Sequence, residues 1–136
     1  MAGERNLDNL LRTMQPELQD GVFVFCTASS DAGLAATPAP LLLFREREGL
    51  TFVVRREDAE REELPYQFAS RLITLTVHSA LDAVGFLAAV TARLAAAGIS
   101  VNAVSAFHHD HLFVPEDRAE ETLRLLQEMS RTSLSR

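Results

Sequence analysis

Apolar side chains recur with two different periods. Leu7, Leu10, Leu11 and Met14 fall at i, i+3, i+4 and i+7, which predicts a short amphipathic helix that Pro16 stops. Residues 21–28 (GVFVFCTA) are instead a run of β-formers with no polar alternation, so a strand covered on both faces is expected. Residues 29–40, with Gly33, Pro38 and Pro40, read as a loop. Segments 41–46 and 50–55, parted by Glu48 and Gly49, predict a hairpin. A charged helical turn over 57–64 follows and is closed by Pro65.

The second half repeats this plan with more detail. Residues 72–78 (LITLTVH) alternate, with Ile73, Leu75 and Val77 on one face and Thr74, Thr76 and His78 on the other. Residues 85–97 predict a helix that buries Phe86, Leu87, Val90 and Leu94 and ends at Gly98. Strands over 99–106 and 112–114 flank a turn at 107–111. After Pro115 a last helix over 116–129 turns Ala119, Leu123 and Leu126 inward and pairs Glu120, Arg124 and Glu128 outside. The order β-α-β-β-α with a right-handed crossover puts strand 112–114 antiparallel between the other two. The expected class is α+β, with ferredoxin-like units, antiparallel sheets and helices on one face. The other face, with Thr74, Thr76, His78, His111 and Phe113, is left free of helices. It is too mixed for simple solvent surface and too polar for core, so a neighbouring sheet or a second subunit is expected near it.

An internal echo supports two such units. Val53-Val54 followed by Ala59-Glu60 matches Phe113-Val114 followed by Ala119-Glu120 at a constant offset of 60 residues. The first strands lie about ten residues closer, the length of one average helix. The division is therefore a truncated unit over 1–68, lacking its first helix, and a fuller unit over 69–136. The polar end SRTSLSR predicts no fourth strand for the second unit. Residues 16–20, the other half or a partner chain remain as its source.

Composition narrows the function. With 13 basic and 19 acidic residues and a net charge of −6, the chain lacks the basic surface that phosphate neutralisation needs, so no nucleic-acid partner is expected. Every basic residue is arginine, which removes Schiff-base, P-loop and kinase lysines. The start MAGERN has no apolar signal core, the longest apolar stretch is broken by Arg93, and Cys26 is the sole cysteine. A cytoplasmic protein without membrane contact is expected. No GxSxG or GxGxxG occurs, so no catalytic residues and no cofactor are assigned, and the chain is read as a non-enzyme.

Residues 82–87 (DAVGFL), 94–105 (LAAAGISVNAVS) and 111–115 (HLFVP) resemble the ACT domain, the small-molecule regulatory module of aspartokinases and phosphoglycerate dehydrogenases. The likeness is nearest to aspartokinase regulatory regions and to the cytosolic arginine sensor of animal cells. The first half is similar to the divergent first unit of small bacterial tandem ACT proteins of unsettled function. The resemblance implies a βαββαβ unit, a homodimer and an amino-acid pocket between the loop into the first helix and the start of the second strand. By position those are residues 81–86 and 100–105, which makes Leu81, Asp82, Val84, Gly85, Phe86, Val101, Asn102 and Ser105 the candidate ligand-binding residues.

The residues allow roles to be assigned. A helix N-terminus offers unpaired N–H groups and partial positive charge. N–H groups near Gly85 and Phe86 would hold a carboxylate, Asp82 an ammonium group, and Asn102 and Ser105 would add neutral hydrogen bonds. Asp82 reads equally as the N-cap of that helix, and the two readings compete, because a capping carboxylate repels an incoming one. Gly85 either opens the backbone to close approach or permits tight packing. His78, His108, His109 and His111 gather at the same pole as ligand or pH-sensing candidates. Neighbouring strand residues point to opposite faces, so a polar hairpin is favoured over a metal centre and no metal is assigned. The alternatives are a dimerisation or interaction module with a degenerate pocket and, last, a histidine-cluster metal protein.

Overall fold

The computed structural model describes residues 3–29, 39–77 and 79–134. The elements of the first half are α1 (Leu7–Thr13), β1 (Gln15–Leu18), β2 (Phe23–Ala28), β3 (Leu42–Glu46), β4 (Gly49–Arg55) and α2 (Arg56–Arg61). Those of the second are β5 (Gln67–Thr76), α3 (Phe86–Ala96), β6 (Asn102–Ser105), β7 (Asp110–Pro115) and, after a 3-10 turn over Glu116–Arg118, α4 (Ala119–Leu134). The chain divides into two compact units, Met1–Asp20 with Arg71–Arg136, and Gly21–Ser70. Most of the loop expected over 29–40, and with it the missing first helix, lies outside the described residues, as does His78.

The first of these units has the strand order β1-β5-β7-β6. β7 lies between β5 and β6, as the crossover argument requires, and runs antiparallel to β6 with Asn102 opposite Phe113. The missing fourth strand comes from the chain's own N-terminal segment. β1 runs antiparallel to β5, with Gln15 opposite Thr76 and Leu18 opposite Ile73. The polar end of the chain does not compete for that place, because α4 continues to Leu134, five residues beyond its expected end. Pro16 is tolerated in β1, which pairs with β5 alone among the described strands.

Amphipathic spacing explains this core. Leu10, Leu11 and Met14 from α1 meet Ile73 and Leu75 of β5, Phe86, Val90 and Leu94 of α3, and Leu126 of α4. Each such side chain contributes about 1.5–3 kcal/mol through burial. Gly98 (φ 73) follows α3 in the left-handed conformation anticipated for it. Thr122 rather than Leu123 takes the fully buried place in α4, its hydroxyl donating to the Arg118 carbonyl at 2.7 Å. On the second sheet face Leu72 and Thr74 are each 7% exposed and Phe113 is 2% exposed, so that face is no simple solvent surface, as its mixed composition leads one to expect.

The second unit, Gly21–Ser70, is smaller and has the order β3-β4-β2-β5. β3 and β4 form the expected hairpin, with Glu46 opposite Gly49. Alternate residues Val24, Cys26, Phe52 and Val54 point to one side and meet Ala59 of the short α2. β5 begins at Gln67, five residues before the expected strand, because Gln67 and Ser70 pair with Phe25 and Phe23. The register shifts between these pairs, Phe68 adopts φ 58, and its ring meets Phe25 edge-on at 5.9 Å. No helix among the described residues is long and apolar enough to cross a membrane.

Candidate functional site

The segment between β5 and α3 is held by the chain's N-terminal residues. Ala80 donates its N–H to the Glu4 carbonyl at 2.9 Å, and Glu4 bridges Ser79 in parallel. Arg5 binds the Asp82 carboxylate through two hydrogen bonds of 3.0 and 2.9 Å. Both partners are largely exposed, and the guanidinium holds the Asp82 carboxyl below the usual carboxylate range. α3 then starts with Gly85 as its N-cap, at φ 93, with no side chain capping it and no acidic residue in its first turn.

The reason for a glycine at position 85 is conformational. A Cβ there would meet only a Leu7 methyl group at an ordinary 3.7 Å, so space is not the constraint. The left-handed φ is. Asp82 accordingly is not the helix cap. It points to Arg5, and the first N–H groups of α3 are left without a capping side chain.

Beside that helix start lies a cavity of about 60 Å³. Its polar wall is Ser79, Ser105 and Asp110, and its apolar wall includes Leu81, Ala83, Phe86 and Ala106. Asp110 opens β7 directly opposite Ser105, the last residue of β6, and is 6% exposed. Its carboxylate accepts from the Ser105 hydroxyl at 2.5 Å and the Ser79 hydroxyl at 3.4 Å. The turn joining the strands is closed by the Ala106 N–H donating to the His109 carbonyl at 3.0 Å. A buried carboxylate and Phe86, at the uncapped start of α3, thus line the same cavity. That is the polarity needed for a small zwitterion.

Of the residues singled out in the sequence, Leu81, Phe86 and Ser105 line this cavity, and Gly85 sets the helix start beside it. Asp82, Val84, Val101 and Asn102 are not among its lining residues. Val84 is 85% exposed, and Asn102 is exposed on β6 opposite Phe113. Asp110 escaped notice as a pocket residue because it sits within a histidine run. Its signal is positional, since the first residue of a strand after a tight turn faces the last residue of the strand before it.

The histidines do not converge. His109 Nδ1 is 3.4 Å from the Val77 carbonyl oxygen, and His111 Nδ1 shares a 3.0 Å hydrogen bond with the Thr74 hydroxyl. Ring centroids of His108 and His109, and of His109 and His111, are 6.4 Å apart. Burial lowers the His111 pKa, with His109 adding to the effect and Asp110 opposing it. Among the described residues no three histidine, cysteine or acidic side chains are placed to hold a metal ion.

Family models of the ACT domain match residues 2–71 and 67–128. Among solved structures, a protein of unknown function from Vibrio cholerae, described as a possible transport protein, is 41% identical with a TM-score of 0.80, covering 91% of this chain and 95% of that one. A protein from Agobacterium tumefaciens is 20% identical with a TM-score of 0.68, over 86% and 89% of the two chains. The regulatory subunit of aspartate kinase from Thermus flavus has 13% identity and a TM-score of 0.60, over 95% and 99%. These last two similarities bear on the fold alone. No curated protein matches the chain.

Proposed function

We propose, from the premise that the chain belongs to the ACT-domain family, that it is a non-catalytic regulatory module whose ligand is a free amino acid. ACT domains are regulatory modules and often bind small molecules. The observation that carries the proposal is the Asp110 carboxylate, 6% exposed in a cavity beside the uncapped start of α3. The ammonium group pairs with Asp110, and the carboxylate meets the N–H groups of α3. Ser105 keeps its role as a neutral hydrogen-bonding group, and Leu81 and Phe86 supply apolar wall. Asp82 becomes an anchor for the loop through Arg5 and yields the ammonium role to Asp110. In this reading the two ACT units of a cytoplasmic homodimer divide near residue 68, with α1 and β1 completing the unit that follows. The family matches at 2–71 and 67–128 support the division.

Thermal-shift screening with the twenty amino acids tests this. A true ligand at ~100 times its Kd adds ~2.7 kcal/mol of stability and raises the Tm. Asp110→Asn should then weaken binding more than tenfold, whereas Asp82→Asn should leave it within threefold. A flat screen overturns the proposal. One observation favours a second reading, an interaction module with a degenerate pocket: about 60 Å³ is small against the ~300–1,000 Å³ of ordinary ligand sites. A flat screen together with a stable dimer in light scattering would select it.

A further inference from the structure

We infer that the ligand of this cavity carries an apolar side chain, leucine- or phenylalanine-like, and that Leu81 and Phe107 select it. The inference rests on the amino-acid reading above and adds a class of ligand to it. About 60 Å³ accommodates a head group and little more, so the side chain must extend through the mouth. The segment around Leu81 and the turn around Ala106 frame the cavity, and both of these residues line it. Among the described residues of this unit, three large apolar side chains are exposed: Leu81 at 67%, Val84 at 85% and Phe107 at 64%. All three belong to the two loops that frame the cavity. The unit's other described large apolar side chains are buried or half-buried, so its largest exposed apolar side chains gather at these two loops.

Charge points the same way. Asp110 is the one ionisable residue in the lining and is taken by the ammonium group. The nearest charge in sequence to the lining residue Leu81 is Asp82, and Arg5 already neutralises it through a bidentate contact. An acidic or basic ligand side chain would therefore find no further charged partner in the lining. An apolar one covers Leu81 and Phe107 and is covered by them. Phe107 is braced for this contact by an edge-on stack with His108 at 5.0 Å.

Isothermal titration of the full chain with leucine, phenylalanine, glycine, glutamate and arginine tests the inference. Leucine or phenylalanine should bind at least tenfold more tightly than glycine, and glutamate and arginine no better than glycine. Leu81→Ser and Phe107→Ser alter exposed side chains and leave the core intact. Each should weaken leucine at least fivefold, and Phe107→Ser, which lies outside the cavity lining, should change glycine less than twofold. Tightest binding of a charged amino acid overturns the inference, as does an equal loss of leucine and glycine in Phe107→Ser. Either result leaves the amino-acid reading standing. If none of the five binds, the inference falls, and the amino-acid reading stands or falls by the screen of all twenty.

Discussion

The two units share the ferredoxin-like strand order, in which the first strand is flanked by the fourth and the third, yet they are built to different depths. Among the described residues the unit containing β7 and α4 buries thirteen apolar residues in one cluster, while the cluster of the unit containing β2 and β4 has five. The matching helices differ as much, sixteen residues in α4 against six in α2. The deeper unit has α1, α3 and α4 to cover one sheet face, and it can spare a helix start and a turn for a cavity. Among the described residues the shallow unit's helix gives its cluster only Ala59 as a buried residue, with Leu64 packed beside it. Position in the fold is shared between the units, and depth of core is not.

The largest effect should come from the shallow core. Phe52→Ala is expected to cost about 3–5 kcal/mol in denaturant titration, with amide exchange rising first in β2 and β4. A cost below ~1 kcal/mol would remove the contrast between the cores. In the deeper unit Leu10→Ala should cost about 2–5 kcal/mol, as much as Leu94→Ala, because α1 is part of its core. If Leu10→Ala proves nearly neutral, the N-terminal segment is an accessory and not a member. Gly85→Ala should cost about 1–2 kcal/mol through φ alone, there being room for the methyl group.

Smaller effects probe the site. His111 has a pKa below its ordinary 6.5 in the folded chain, so the unfolded chain binds more protons between the two values. The stability tied to neutral His111 is therefore complete above about pH 6.5 and is lost as pH falls through the folded value. In His111→Gln the slope of stability against pH just below 6.5 should flatten. An unchanged slope would place the titration elsewhere. Smallest is Arg5→Ala, which should leave global stability unchanged, as for most exposed ion pairs, while amide exchange over residues 80–85 quickens several-fold. Unchanged exchange there would separate the N-terminal residues from the loop.

Much of this was legible in the residues. The echo of Val53, Val54 and Ala59 in Phe113, Val114 and Ala119 marks equivalent positions, all buried, at the end of the third strand and in the helix beyond it. The periodicity of α1 and α3 located their buried faces because helical burial is a local pattern. β1 was harder to read. Gln15-Pro16-Glu17-Leu18 has no β-propensity, and only its partner β5 makes it a strand. The early start of β5 at Gln67 has the same origin, since QFASR acquires its strand character from β2. In the site, residue type suggested Asp82 and contact revealed Asp110. No local pattern encodes that Arg5, 77 residues away, claims the first and leaves the second facing the cavity.

The pairing of β1 with β5 also sets a timetable for synthesis. Residues 15–18 leave the ribosome long before their partners at 73–76, and α1 waits longer still for α4, whose Ser130 hydroxyl donates to the Arg12 carbonyl. The stretch from Gly21 to Ser70 is contiguous in sequence and compact, so it can close while translation continues. Residues 4–20 must meanwhile wait for those partners, a task that Glu4, Arg5, Asp8 and Arg12 suit them for by keeping the segment well hydrated.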